Sequence, residues 1–98
     1  KTIAAKVNEP LWQLPLAPWH QDKCPSAFAD TANSRTQKGG GPGGASNAAG
    51  FLSRFVADNG QGWLHFDLAA AYNGSADDLW AAGATGLGIA TIAELLCQ

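Results

Sequence analysis

A glycine-rich segment near the middle of the chain, Lys38-Gly-Gly-Gly-Pro-Gly-Gly44, most limits the folds that are open to it. Glycine loses more backbone entropy on folding than any other residue, and proline supplies no N–H, so this composition cannot hold a regular helix or strand. We therefore predict a loop over residues 34–44. Regular structure is expected only in the shorter segments on either side of it.

The residues before this loop predict little regular structure. Lys1–Asn8 has apolar side chains at helical spacing and predicts a helix that Pro10 ends. Leu11–Pro18 is apolar, but Pro15 and Pro18 exclude a regular central strand. We therefore expect a buried, extended connector. Trp19–Lys23 predicts one helical turn, and Ala27–Asn33 predicts a short strand.

The residues after the loop carry the clearest helical pattern. Asn47–Asp58 predicts an amphipathic helix with Ser46 as its N-cap and Asn59-Gly60 as its stop. Its apolar stripe consists of Ala48, Phe51, Leu52, Phe55 and Val56.

The C-terminal third predicts a strand and a second helix. Trp63–Leu68 alternates, with His65 and Asp67 on the face opposite Leu64, Phe66 and Leu68. Residues 69–74 predict the strand end and a loop, Ser75 with Asp78 resembles a capping box, and Leu87–Leu96 predicts the last helix. Strands alternating with helices indicate the α/β class. Two strands are too few for a stable sheet, so we expect the sheet to be incomplete.

The composition excludes several classes of protein. Only 14% of the residues are charged, against about 25% in ordinary soluble domains, so we expect part of the surface to lie against more protein, in dimers or larger species. The net charge is −2 and the basic residues are scattered, which argues against nucleic-acid binding. No apolar run approaches the ~18 residues of a membrane span, and no signal peptide is recognisable.

The sulfur-containing residues suggest where the chain works and how it arises. Cys24 and Cys97 lie far apart in the sequence, which favours free thiols in a reducing cytoplasm over a disulfide scaffold. The absence of methionine leads us to expect that the chain is a processed or partial product of a longer reading frame.

The glycine-rich segments do not match known nucleotide-binding patterns. The run that ends at Gly44 is followed by Ala45-Ser46, whereas a phosphate loop ends in Gly-Lys-Ser/Thr. Gly83, Gly86 and Gly88 give the dinucleotide pattern in reverse order, without a strand leading directly into it. Flexible loops explain both segments better.

The titratable side chains do not define a complete catalytic set. His65 and Asp67 could hold a metal or form a base and its orienting partner, but no third ligand is evident. Ser46 or Ser53 with these two, or with His20, could be drawn as a triad, yet no Gly-x-Ser-x-Gly elbow surrounds either serine. The residues alone therefore indicate an α/β piece without a self-sufficient catalytic centre.

Four stretches of the sequence form recognisable motifs and together span nearly the whole chain. They are Glu9-Pro-Leu-Trp-Gln-Leu-Pro-Leu16, Gly43-Gly-Ala-Ser-Asn-Ala-Ala-Gly-Phe-Leu-Ser-Arg-Phe-Val56, Trp63-Leu-His-Phe-Asp-Leu-Ala-Ala-Ala-Tyr72, and Ala82-Gly-Ala-Thr-Gly-Leu-Gly88 with Thr91-Ile-Ala-Glu-Leu-Leu96. Taken together and in this order, they resemble leucyl aminopeptidases of the cytosol aminopeptidase family, and in particular their peptidase B-like branch. The segment from Thr36 to Pro42 departs from the family pattern by its glycine content.

The resemblance implies a two-metal hydrolase that removes N-terminal residues from peptides. In that family two divalent ions, zinc or manganese, activate water and polarise the scissile carbonyl. Their ligands lie in a lysine–aspartate region and in an Asn-Thr-Asp-Ala-Glu-Gly-Arg motif, neither of which occurs here. We expect no catalytic residue and no metal ligand within residues 1–98, and we expect the isolated chain to be inactive.

The resemblance also implies two substrate-binding residues. The stretch after the Asp of the family's Trp-x-His-x-Asp strand lines the pocket for the N-terminal side chain, which by position corresponds to Ala69 and Tyr72. Ala69 would leave room in the pocket, and Tyr72 would cap it with an apolar ring and a polar tip. Packing at a sheet edge is the alternative role for both.

The expectation is thus that residues 1–98 form a single C-terminal segment of a metalloaminopeptidase catalytic domain. We also expect peptide substrates, a cytoplasmic location and a homo-oligomer, which in the family is a hexamer. We expect no nucleic-acid or membrane partner. A non-catalytic interaction module that kept the aminopeptidase tail, or an unrelated small α/β protein, would explain the same residues. An upstream Asn-Thr-Asp-Ala-Glu-Gly-Arg motif would distinguish the enzyme from the module.

Overall fold

The computed structural model describes residues 1–35, 37–68, 71–77 and 79–98. Within them are three α-helices, three short 3-10 helices and one two-stranded antiparallel sheet. The α-helices are α1 (Thr2–Lys6), α2 (Gly44–Ser53) and α3 (Ile89–Leu96), the strands are β1 (Tyr72–Asn73) and β2 (Gly83–Ala84), and the 3-10 helices are Pro18–Lys23, Lys38–Gly40 and Asp58–Gly60. Helices with a small sheet are consistent with a partial α/β fold.

The chain divides into two compact units. The first joins Lys1–Gln13 to Phe66–Gln98, and the second is continuous from Leu14 to His65. The first unit therefore contains α1, both strands and α3, whereas the second contains α2 and the 3-10 helices.

A carboxylate from the N-terminal segment caps α3 in the first unit. Gly88 is the N-cap residue and has no side chain with which to bond the free N–H groups of the first turn. The half-buried Glu9 takes this role, because its Oε2 accepts hydrogen bonds from the backbone N–H of Thr91 at 2.8 Å and from the Thr91 hydroxyl at 2.6 Å. These bonds, first the hydroxyl and then the N–H, hold the pKa of the Glu9 carboxyl below its ordinary value.

In the second unit, α2 packs closely against the 3-10 helix Pro18–Lys23. Gly50 allows this approach, since a Cβ added there would lie 2.5 Å from the carbonyl carbon of His20. Two polar side chains at the end of α2 bond Gln21 of the same 3-10 helix, and one of them also bonds Asp30. Arg54 donates to the carbonyl oxygens of Gln21 and Asp30, both at 3.0 Å, and the Ser53 hydroxyl accepts from the Gln21 amide at 2.9 Å.

The glycine-rich loop is confirmed up to Gly43 for the described residues, and its end is anchored to α2. Thr36 lies outside the described residues, and Gly44 already belongs to the helix. Lys38–Gly40 makes one 3-10 turn, with Gly39 at φ +72°. The carbonyl oxygen of Pro42 then accepts hydrogen bonds from the buried Asn47 amide at 3.0 Å and from Arg35 at 3.1 Å. Side-chain hydrogen bonds, rather than regular structure, therefore hold the end of the loop in place before α2.

The predicted boundaries of α2 were wrong at both ends. The helix runs from Gly44 to Ser53 rather than from Asn47 to Asp58. It begins at Gly44 because Gly43, the N-cap, has the non-helical φ of +74°, which glycine adopts readily; Ser46 lies buried inside the first turn. At the other end the N–H groups of residues 54–56 bond three residues back instead of four, which tightens and ends the helix. Asn59-Gly60 belongs to the separate turn Asp58–Gly60.

The two predicted strands are not formed. Ala27–Asn33 bends because local side-chain bonds compete with a ladder: the Ser26 hydroxyl accepts from two following N–H groups, and the Thr31 hydroxyl donates to the Cys24 carbonyl oxygen. Trp63–Leu68 is irregular, since among the described residues no strand pairs with it. Alternation alone does not make a strand without a partner for its backbone groups.

The connector before the first 3-10 helix is exposed, whereas it was expected to be buried. Residues 11–17 belong to no helix or strand, and Trp12, Leu14 and Leu16 are all exposed, Trp12 by 85%. The physical reason is the small core: of the hydrophobic residues that the structure describes, only Ala4 and Cys24 are buried. The expected helices at the two ends of the chain are confirmed as α1 and α3, and the expected turn at Trp19–Lys23 is confirmed within Pro18–Lys23.

Replacing Gly50 by alanine should destabilise the second unit. The added methyl group meets backbone atoms of His20 that cannot rotate away, and overpacking of this kind costs about 1–3 kcal/mol. Gly44→Ala in the same helix is the matched control, because nothing lies within 4 Å of a Cβ there. Urea unfolding followed by circular dichroism should show a lower midpoint for Gly50→Ala alone. Equal midpoints for the two variants would contradict the close approach.

Acid should weaken the cap on α3 through Glu9. A folded-state pKa below the unfolded value means that the stabilisation is complete above the unfolded carboxyl pKa of about 4.3 and disappears as the pH falls through the lowered value. Glu9→Gln should lower stability at neutral pH and flatten this acid dependence. Glu94→Gln, the same charge change within α3, should keep it. Thermal unfolding between pH 2.5 and 7 measures both, and identical pH profiles for the two variants would rule out the cap.

Candidate substrate-pocket segment

The residue expected in the substrate pocket, Tyr72, begins strand β1. It pairs with Ala84 of β2, and Asn73 pairs with Gly83. The Tyr72 side chain is 66% exposed, so its ring is accessible to a bound molecule. The other expected pocket residue, Ala69, lies outside the described residues.

The segment before Tyr72 is held by a threonine from the opposite strand. The carbonyl oxygen of Ala71 accepts two hydrogen bonds from Thr85, one from the backbone N–H and one from the hydroxyl, both at 3.0 Å. Because Ala71 precedes β1 and Thr85 follows β2, these bonds extend the antiparallel ladder by one residue pair. Gly83 enters this arrangement with φ +120°, a conformation that other residues rarely adopt.

The connection between the two strands carries its own turn. Oδ1 of Asp77 accepts the N–H groups of Leu79 at 3.0 Å and Trp80 at 2.8 Å, and the Asp77 N–H donates back to the Trp80 carbonyl oxygen. The side chains of Leu79 and Trp80 are exposed, by 86% and 54%. The hairpin therefore presents three large side chains, including Tyr72, to solvent.

The expected Asp78 partner of a capping box lies outside the described residues. Asp77 performs a related task in the described part, since it bonds N–H groups two and three residues further on. The signal for it in the sequence is an aspartate within the connection between two short segments of extended chain.

Several of the other candidate catalytic residues have structural partners. The Ser53 hydroxyl donates to the Gly50 carbonyl oxygen at 2.7 Å, and Nδ1 of His20 bonds the backbone of Ala17. His65 is exposed, with its ring centroid 6.2 Å from that of Trp63. Asp67 is exposed as well. Ser46 is buried within α2. These positions favour structural roles over a triad.

The described residues do not form a metal site of the expected kind. Among residues 1–35, 37–68, 71–77 and 79–98, no three His, Cys, Asp or Glu side chains come together in a way that could hold an ion. Two divalent ions need several such ligands each. The residues present therefore do not fit a two-metal centre by themselves.

Cys24 is buried and Cys97 exposed, and both thiols are free, as the sequence predicts.

The second unit contains a cleft of about 350 Å³, two of whose polar side chains are hydrogen-bonded within the chain. Its walls include Arg35 and Asn47, which donate to the Pro42 carbonyl oxygen, and Phe51 and Leu52 from α2.

In the part of the chain that the structure describes, no helix is long and apolar enough to cross a membrane.

Comparison with protein families identifies the class to which these features belong. Residues 1–93 match the model of the cytosol aminopeptidase family, catalytic domain. The match covers nearly the whole chain, and the chain belongs to this family. The expected membership of the cytosol aminopeptidase family is thereby confirmed, and the family's activity is that of an aminopeptidase, which is a hydrolase.

Reasoning from the sequence missed the residues that hold these segments in place. Glu9 and Thr85 act across distances that no local pattern reveals, Glu9 over 82 positions. Gly50, in the middle of a helix, was the one visible signal, because a glycine there costs stability unless a close neighbour requires it. Arg54 gave no signal beyond its place at the end of an apolar stripe.

Proposed function

We propose that this chain is the C-terminal part of the catalytic domain of a two-metal aminopeptidase, in which it forms one wall of the pocket for the substrate's N-terminal side chain. The family match over residues 1–93 carries the proposal. The accessible Tyr72 ring, on a strand held by the Gly-Ala-Thr-Gly segment of the family resemblance, supports the assignment of the pocket wall.

The metal ions, zinc or manganese, would be held by residues outside this chain. The family's Asn-Thr-Asp-Ala-Glu-Gly-Arg motif is absent from the sequence, and the described residues provide no ligand cluster. In this proposal the present residues contribute binding and scaffold, and the 98-residue chain on its own does not hydrolyse peptides. Ala69 would face the same pocket as Tyr72, on the strength of the sequence resemblance.

The exposed apolar side chains support a larger assembly around this segment. On α3, Ile89 is 70% exposed and Leu96 is 78% exposed, and Ile92 and Leu95 are exposed as well. A surface this apolar on a single chain marks contact with further protein. We propose that the rest of the catalytic domain and other copies of the enzyme cover it, in a cytoplasmic homo-oligomer that acts on peptides and binds neither nucleic acid nor membrane.

Tyr72 suits a pocket wall because of its two chemical halves. Its ring can contact an apolar substrate side chain, and its hydroxyl can remain hydrated or bond a polar one. Among the described residues, none forms a hydrogen bond with the Tyr72 hydroxyl. The backbone of Tyr72 pairs with Ala84, so its side chain lies on one face of the strand pair. It is proposed neither as an acid or base nor as a metal ligand.

In the complete enzyme that contains this segment, Tyr72→Ala should change the ranking of N-terminal residues. Substrates whose side chains touch the ring should lose about 1–3 kcal/mol of transition-state binding, whereas small side chains should be little affected. Tyr72→Phe keeps the ring and should retain the ranking for apolar side chains. The measurement is kcat/KM for a panel of aminoacyl substrates.

Trp80→Ala is the control for nonspecific effects, because it removes another exposed aromatic ring from the same hairpin. It should leave the ranking unchanged. A uniform loss over the whole panel in Tyr72→Ala would indicate a folding role instead of a pocket wall. No activity of the complete enzyme on any aminoacyl substrate would favour the non-catalytic interaction module.

A further inference from the structure

The hydroxyl of Thr85 lies at the point where the Tyr72 segment is attached to the rest of the first unit. It donates to the carbonyl oxygen of Ala71 at 3.0 Å, alongside the Thr85 N–H, which donates to the same oxygen. It also accepts the Leu87 N–H at 3.3 Å. One side chain therefore joins the residue before Tyr72 to the turn that leads into α3.

Among the described residues, the Tyr72 segment has few other restraints besides the bond from the Ala71 N–H to the Leu68 carbonyl oxygen. Strands β1 and β2 contain two residue pairs, and a two-stranded ribbon of this size is at best marginally stable. Tyr72 is 66% exposed, so its ring packs little against the described part of the chain. The hydrogen bonds of Thr85 are consequently a large share of what orients the strand.

We propose that Thr85 is a positioning residue for substrate selectivity: its hydroxyl, through the Ala71 carbonyl, sets where the Tyr72 ring stands in the pocket. The inference rests on the proposed function of Tyr72. Thr85 itself need not touch the substrate, because a shift of the Ala71 carbonyl is transmitted along the backbone to the next residue. Loss of the hydroxyl leaves the N–H bond in place and so loosens the segment without deleting it.

The first test uses the 98-residue chain and needs no substrate. Tyr72 is its only tyrosine, so incorporation of 3-fluorotyrosine gives one fluorine resonance that reports on this ring alone. Thr85→Val removes the hydroxyl, and Thr85→Ser keeps it while removing the methyl group. The resonance should shift or broaden in Thr85→Val and stay at the wild-type position in Thr85→Ser.

A wild-type resonance in Thr85→Val would overturn the inference. Thr85→Ala provides a second hydroxyl deletion if Thr85→Val does not fold, as judged by the α-helical circular dichroism signal. A folded Thr85→Ala with a wild-type resonance overturns the inference as well, and a shifted one supports it.

The second test measures selectivity in the complete enzyme. Thr85→Val should change the ratio of kcat/KM values between large and small N-terminal residues by about three- to tenfold, in the direction of Tyr72→Ala, with kcat for small residues nearly unchanged. Thr85→Ser should restore the wild-type ratio. If Thr85 had a merely structural role, Thr85→Val would lower kcat/KM equally for all substrates.

The two tests separate the inference from the proposed function. If the fluorine resonance moves in Thr85→Val while neither this variant nor Tyr72→Ala alters selectivity, Thr85 positions the ring and the pocket assignment is wrong. If Tyr72→Ala alters selectivity and Thr85→Val does not, the pocket assignment stands and the role of Thr85 is refuted.

Discussion

The bond between the Glu9 carboxylate and Thr91 is the interaction on which the first unit depends. This unit is made of two segments from opposite ends of the chain, and Glu9 joins them across 82 positions. The carboxylate lies at the N-terminal end of α3, where the free N–H groups concentrate positive potential. It accepts hydrogen bonds from these donors, and its negative charge interacts favourably with the helix dipole. The cap fixes the start of α3, and from that start the chain runs back through Leu87 and Thr85 to the strand of Tyr72.

Three of the four blocks of sequence that resemble the family contact one another within the first unit, and the remaining block packs against a helix between blocks. The first block supplies Glu9 and the last supplies Thr91. The third ends at Tyr72, and the fourth supplies Thr85, which holds the residue before it. The second block forms α2, whose Gly50 admits the neighbouring 3-10 helix. The resemblance in sequence thus has a physical counterpart in capping, pairing and close packing.

The sequence predicts the elements whose cause is local. Helical spacing predicts α1 and α3, and the glycine content predicts the loop before α2. The strand expected at Trp63–Leu68 fails because pairing is not a local property, and the end of α2 moves because residues 54–56 change their bonding pattern. Tyr72, the proposed pocket residue, came from the family resemblance and not from any pattern of polarity. Thr85 could not be found, because its partner is 14 positions away in a segment with no regular periodicity.

The central claim is that Tyr72 contacts the substrate's side chain while the catalytic metals are held elsewhere. The most direct measurement is a crystal structure of the complete enzyme with a leucine-derived inhibitor bound at its metal centre. The account predicts the Tyr72 ring within van der Waals contact of the inhibitor side chain, about 4 Å, and no metal ligand from residues 1–98. A ring remote from the inhibitor, or a metal coordinated by a residue of this chain, would contradict it.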